Sequence, residues 1–394
     1  MSGFFTYRQF SLYDTPSLAN QVAVVTVSVK TSPTYNSLGP LGSGREAASN
    51  SLFQYLLHPL TRVANVNLEI TAQLLLHGIE TVYVLARSHD KYIRAQEEWQ
   101  RRIGGSLGKG DTRVQFIQCD LADIVAAKSA ANELKHKTDR LDIMICNAAT
   151  IYNRPFVDVP TPAKAIGVST NYERSPQGIE QVFASNCVGH QVLATNLLPL
   201  MKRTINQGKA SNGRIAVASS SMHVFCRELN LDLLTSPTRL KPAYIDGVWR
   251  YARAKVGNIL FARELSLRLM QEEDPASSKI YVNAFFPGNI VTDQWSVWDE
   301  YIGEALGSLF RLLFSIIGQS LEDGAANAIY LAASPKVISN STRGQYFIPI
   351  AKPYKTTAIA SDMKLARDLW DWTEAKAAEA LGPEEQAKTR TVDG

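Results

Sequence analysis

A chain of 394 residues with 45% hydrophobic residues can bury a full core, as one large α/β domain or as two smaller ones. Its formal net charge of +4 comes from 41 basic and 37 acidic residues spread along the chain, with no basic block interleaved with aromatics, which argues against nucleic acid as a partner. Cys119, Cys146, Cys187 and Cys226 lie in apolar surroundings without CxxC spacing, so buried reduced thiols in a reducing compartment are expected, and no metal site.

The N-terminus, MSGFFTYRQFSLYDTPSLANQ, has no basic region leading into an apolar run and does not read as a signal peptide. A buried strand is predicted at Val22 to Thr26 and a helix at Leu68 to Leu76, capped by Gly78. Between them, residues 27–63 are rich in Ser, Gly, Pro and Asn and carry an apolar patch at Leu52 to Leu60, where a short turn belongs. From Leu68 onward β-branched runs alternate with helical periodicity, the pattern of a doubly wound parallel sheet. Further strands are predicted at Thr81 to Leu85, Val114 to Ile117, Leu141 to Ile145, Arg214 to Ala218, Ile280 to Phe285 and Gln345 to Ile348, seven in all. Helices are predicted at His89 to Arg102, Ile124 to His136, Ile179 to Met201, Tyr251 to Gln271 and Gly324 to Ala332. One Rossmann-like domain over residues 1–382, interrupted at 27–63, accounts for these elements, and the polar residues 383–394 read as a frayed tail.

The longest apolar run, Ala305 to Gly318, is interrupted by Arg311 and falls short of the roughly 18 to 20 residues that span a bilayer. It reads as a lid or core helix, with peripheral contact to a membrane surface as the other reading.

Four short features stand at the C-terminal ends of successive strands, where open α/β sheets bind ligands. They are Cys119-Asp120-Leu121, Cys146-Asn147-Ala148-Ala149, Ser219-Ser220-Ser221 and Phe286-Pro287-Gly288. Tyr251-Ala252-Arg253-Ala254-Lys255 opens a predicted helix and sets its Tyr and Lys one turn apart on one face. Asn186-Cys187-Val188-Gly189-His190 interrupts another helix with an Asn and a Gly.

In this order the six motifs resemble the short-chain dehydrogenase/reductase family, over nearly everything from Gln21 to about Ala380 apart from residues 27–63. The phrase YARAKVGNILFARELSLRL looks like the retinol-dehydrogenase-like branch, and LWDWTEA is similar to fungal members. The "NAA" after the fourth strand and the long segment before Asn186 are similar to 3-ketosteroid reductases of sterol synthesis.

Reducing a carbonyl leaves an alkoxide that must be protonated as it forms, so an acid has to lie within hydrogen-bond reach, and Tyr251 is the candidate. A free phenol titrates near about 10, and the Lys255 ammonium is expected to stabilise the phenolate and pull that value toward neutrality. The resemblance implies that Lys255 also bonds the cofactor's ribose, that Ser220, rather than Ser219 or Ser221, contacts the carbonyl oxygen, and that Asn186 holds a proton-relay water. It also places Asp120 beside the adenine, Asn147 along the cofactor, and Pro287, Gly288 and Thr292 at the nicotinamide amide. His190 and His223 read as structural or pocket-lining. Arg87 follows the second strand with no Asp or Glu beside it, which favours NADP over NAD.

The phosphate turn departs from the family. With residues 27–63 removed, Val24-Val25-Thr26 meets Ala64-Asn65-Val66-Asn67-Leu68-Glu69, which is similar to the family's turn, with Thr26 and Asn65 as cofactor contacts, but its glycines are absent. Two readings follow. One is an NADPH-dependent oxidoreductase acting on a lipophilic carbonyl or alcohol such as a sterol, retinoid or polyketide-type metabolite; the other is a binding protein or inactive product whose cofactor site is lost. The segment itself reads as a genuine insertion or as untranslated sequence retained in the gene. A lipophilic small molecule is the expected partner, with a homodimer and membrane contact through residues 305–318 as further expectations. The expected location is cytoplasmic, at the endoplasmic reticulum or lipid-droplet surface.

Overall fold

The computed structural model describes residues 9–28, 66–104, 112–149, 172–236, 243–288 and 320–392. The predicted positions Asn65 and Thr292, nearly all of residues 27–63 and the whole of 305–318 therefore lie outside the described residues.

Eight strands form one sheet in the order β3-β2-β1-β4-β5-β6-β7-β8. They are β1 Val22–Thr26, β2 Thr81–Ala86, β3 Val114–Gln118, β4 Ile143–Cys146, β5 Gly213–Ala218, β6 Ile280–Phe285, β7 Tyr346–Ile348 and β8 Lys352–Pro353. The first seven are parallel, and β8 turns back antiparallel on β7. This eighth strand was not anticipated, because two residues ending in a proline carry no alternation to read. All residues of β1, β4 and β5 are buried, as expected when helices cover both faces, and this is why these strands read as continuous apolar runs.

On one face lie α1 Val66–Leu76, α2 His89–Ile103 and α6 Leu321–Ala333. On the other lie α3 Ile124–Lys137, α4 Gly189–Asn206, α5 Ala243–Gln271 and the first part of α8 Met363–Val392, whose backbone leaves helical geometry at Gly382. The short α7 Pro335–Ser339 follows α6. Helix α1 is buried almost all round: Trp99 Nε1 donates to Leu68 O at 2.9 Å, and the buried Glu69 carboxylate pairs with Arg102 of α2.

Helix α5 starts eight residues before Tyr251, which therefore sits inside the helix and does not open it. Gly247 and Val248 obscure this extension, but Asp246 and Arg250, one turn apart and both buried, pair at 3.4 Å, with Arg250 3.9 Å from buried Glu180. Strand order reverses between β1 and β4, so a crevice opens outside their C-terminal ends.

Candidate active site

The crevice floor is one hydrogen-bonded unit. Thr26, at the end of β1, is fully buried, and its Oγ1 accepts from Asn147 N and Ala148 N, both at 3.0 Å. With both lone pairs used, its proton goes to His190 Nε2 at 2.8 Å, so His190 carries its own proton on Nδ1 and donates it to Asn186 O at 2.9 Å. Burial pushes the His190 imidazole down to about 4, which keeps it neutral. Thr26 thus supports the crevice from beneath. Asn186 sits in a π-helical turn, Ala184–Val188, between the short turn Gln181–Phe183 and α4, at the helix interruption expected from the sequence. The glycine of that motif has a steric cause, because a Cβ on Gly189 would lie 2.0 Å from Leu121 O.

Above this floor is a crevice lined by Ser28, Arg87, Lys91, Asp120, Ala149 and Asn186 among others. Arg87 follows β2, Ser88 caps α2 by accepting from Lys91 N at 3.4 Å, and the capped turn brings Lys91 round to the same wall. Partial burial, then the neighbouring charges of Arg87 and Arg94, hold the Lys91 ammonium below its ordinary range. Asp120 Oδ1 accepts from Ala122 N at 3.0 Å. Asn147 Nδ2 donates to Asn67 Oδ1 at 2.6 Å, while Asn67 Nδ2 donates to Ser28 O at 3.3 Å, so two amides tie the first turn of α1 to the ends of β1 and β4. Ala149, where glycine is common, is not among the residues with positive φ, so its Cβ is tolerated.

The second group lies past β5. Ser219 Oγ donates to Lys255 O at 2.8 Å and is spent on the backbone. Ser220 caps the 3₁₀ turn Ser221–Phe225, accepting from Met222 N at 3.2 Å, and its hydroxyl lies near enough to the Tyr251 phenol to favour the phenolate. The structure thus separates the serines, with Ser220 facing Tyr251. Lys255 is buried beneath the phenol: Nζ lies 5.4 Å from the Tyr251 ring centroid and donates to Ala218 O at 3.1 Å, alongside Asn258 Nδ2 at 2.8 Å.

Burial pulls the Lys255 ammonium down to about 8 and pushes the Tyr251 phenol up to about 12, against the smaller opposing effect of the Ser220 hydroxyl. This corrects the expectation that Lys255 draws Tyr251 toward neutrality. Desolvation dominates, and the ammonium is directed at Ala218 O. At neutral pH the phenol is protonated, as a proton donor must be. Beyond β6, Phe286 O accepts from Asn327 Nδ2 at 2.7 Å, and Gly288 takes φ of 112°, which turns the chain there.

Lys91 and Asn67 complete the arrangement beyond the sequence reading, and His190 takes the structural place expected for it. Lys91 was discoverable as the cation one turn past Arg87; the Thr26 to His190 contact joins residues 164 apart in the chain and has no local signal. All four cysteines are buried free thiols. No group of three potential metal ligands occurs among the described residues, and no helix among them is long and apolar enough to cross a membrane.

A doubly wound sheet with a cation-walled crevice at its switch point, and a Tyr–Ser–Lys group at the adjacent strand ends, defines an oxidoreductase that uses a dinucleotide. Residues 67–227 match the family model described as short chain dehydrogenase. The chain is 29% identical over 304 residues to the short-chain dehydrogenase/reductase drtF of Aspergillus calidoustus, covering 76% of this chain and 85% of that one. It is 29% identical over 270 residues to human retinol dehydrogenase 14, covering 68% of each. The fold is that of the L-sorbose reductase of Gluconobacter frateurii, solved with NADPH and L-sorbose, at a TM-score of 0.51 and 16% identity over 86% of this chain and 99% of that one. Over residues 67–227 the chain is thus similar to the short-chain dehydrogenases/reductases, and the similarity supports an NAD(P)-dependent oxidoreductase.

The residues present fit the adenosine half of such a cofactor, with Arg87 and Lys91 as cations and Asp120 as an acceptor in one crevice. The segment joining Ser28 to Val66, where the diphosphate turn belongs, lies outside the described residues.

Proposed function

We propose that the chain reduces, or reversibly oxidises, a carbonyl or alcohol on a lipophilic small molecule, a sterol, retinoid or polyketide-type metabolite, with NADPH preferred over NADH. The observation that carries the reading is the buried Lys255, whose Nζ lies 5.4 Å from the Tyr251 ring centroid, together with Ser220 just past β5 acting on the same phenol. The preference for NADPH is supported by Arg87 and Lys91, placed to pair with a 2′-phosphate, and by the absence of a carboxylate at residues 86–88. The lipophilic substrate is supported by the retinol-dehydrogenase relative and by the apolar run at 305–318.

When bound, the nicotinamide supplies or accepts the hydride. Tyr251 holds the proton at Oη and delivers it to the developing alkoxide, while Ser220 Oγ donates to the same oxygen. Lys255 keeps a cation under the phenol, where it offsets charge left on Oη. Asn147 and Gly288 line the path between the two ends, and Asn186 holds a relay water beside Lys255.

A second reading, a fold whose cofactor site is lost, is favoured by the Asn67 amide bridging Ser28 and Asn147, where a glycine turn would leave room for a diphosphate. Titrating NADPH into the full chain by fluorescence decides between them. Saturable binding that is tighter than for NADH supports the oxidoreductase; no binding at millimolar NADPH removes it. In an active preparation Tyr251→Phe is expected to lower turnover by about 100- to 10,000-fold with the unfolding midpoint unchanged. Retained turnover would overturn the assignment of the acid.

A further inference from the structure

Two buried polar atoms beside Tyr251 have no hydrogen-bond partner among the described residues: His223 Nε2 and Tyr346 Oη. Their side chains are 2% and 1% exposed, and the rings meet edge to face with centroids 5.0 Å apart. His223 stands in the 3₁₀ turn that Ser220 caps, and its Nδ1 lies 2.7 Å from Ser220 O. A carbonyl only accepts, so Nδ1 carries the proton and Nε2 presents a lone pair that needs a donor. Tyr346 comes from β7, opposite Ala284 of β6, and lies close enough to Tyr251 for the second phenol to oppose its ionisation. Its hydroxyl has a proton to give. Burial holds the His223 imidazole below its ordinary range, so Nε2 remains an acceptor at neutral pH.

An acceptor and a donor on two rings in edge-to-face contact, both desolvated, are complementary to one chemical group, a hydroxyl, which donates to the first and accepts from the second. Leaving both unpaired is costly, so the fold maintains them at a cost that a ligand recovers. We propose that His223 Nε2 and Tyr346 Oη form a hydroxyl-binding subsite next to the reacting carbonyl, so that the substrate is a ketone or aldehyde carrying a second oxygen. The inference rests on the proposed carbonyl reduction and narrows its substrate class to hydroxylated carbonyls. A fixed water supplies the same chemistry, and the experiment separates the two.

The full chain loaded with NADPH is presented with cyclohexanone and with its 2-, 3- and 4-hydroxy derivatives, which place a hydroxyl at three separations from the carbonyl. Initial rates are followed by NADPH absorbance and affinities by calorimetry. At least one hydroxyketone is expected to be preferred over cyclohexanone by about tenfold or more, because a pocket built to pair a hydroxyl rejects the analogue that lacks it. That ratio is expected to fall to near one in Tyr346→Phe and in His223→Asn. The second variant keeps a side-chain N–H for the Ser220 carbonyl while removing Nε2, and so guards against a simple loss of the turn. Equal affinity for all four ketones, as when a permanent water fills the subsite, overturns the proposal, and so does a preference that survives in both variants. If no ketone is turned over, the carbonyl-reductase reading fails on the rates, while the calorimetric ratios still decide the subsite.

Discussion

Thr26→Val tests the crevice floor with little change of shape. The hydroxyl is fully buried and accepts two backbone N–H groups at 3.0 Å while donating to His190 Nε2 at 2.8 Å. Valine fills the same volume and offers none of these contacts. Each stranded buried N–H costs about 1–3 kcal/mol and the imidazole lone pair adds less, but one small relaxation eases all three, so the total is about 3–5 kcal/mol. Against a typical stability of about 5–15 kcal/mol this is a large fraction. Thr26→Ser retains the oxygen and removes one buried methyl, with an expected cost of about 1 kcal/mol. Urea unfolding at neutral pH gives both values from the midpoints, provided the slopes match wild type. NADPH affinity is the second readout, since the same bonds hold the Asn147-Ala148 turn that borders the crevice. A Thr26→Val midpoint within about 1 kcal/mol of wild type, or a serine variant as damaged as the valine, would refute the accounting.

Lys91→Ala and Arg87→Ala are each expected to weaken NADPH about tenfold or more, the worth of one charge-assisted hydrogen bond, and to leave NADH nearly unchanged. Parallel titrations of the two nucleotides check this, and equal losses for both would remove the 2′-phosphate assignment. His190 makes stability depend on pH. Its folded value near 4 lies below the unfolded value of about 6.5, so the unfolded chain binds the extra proton between them, and stability falls by up to about 3 kcal/mol as pH drops through that window. Urea midpoints across the window should fall less steeply in His190→Gln, with some slope left because buried His223 acts with the same sign; an unchanged slope would show that His190 is not the group responsible.

Buried parallel strands were legible because both faces are covered: β1 and β6 fall on the predicted residues. Residues whose role depends on a contact far along the chain were not. Thr26 and His190 meet only once β1 and α4 pack, and Tyr346 reaches the Tyr251 neighbourhood only because β7 adds to the sheet edge. Lys255 shows the same limit in its energetics. Spacing put it one turn from Tyr251, but burial of both groups, which no spacing reports, reversed the expected direction of the phenol's shift. The start of α5 was hidden for a related reason, since the ion pairing of Arg250 with Asp246 and Glu180 outweighs local propensity.

These contacts also explain why the catalytic group can remain assembled whatever residues 27–63 do. Ser220, Tyr251 and Lys255 are held by β5, α5 and the Ala218 carbonyl, and β4 stands between β5 and β1 in the sheet. The floor is in turn closed by Thr26, His190 and Asn147 without a glycine turn. Proton delivery and diphosphate binding are therefore separable in this chain. Asn67→Gly, which removes the amide bridging Ser28 and Asn147, acts on the second alone. Tighter NADPH binding in that variant, with the Thr26-dependent stability intact, would mean that the asparagine bridge and the cofactor compete for one place.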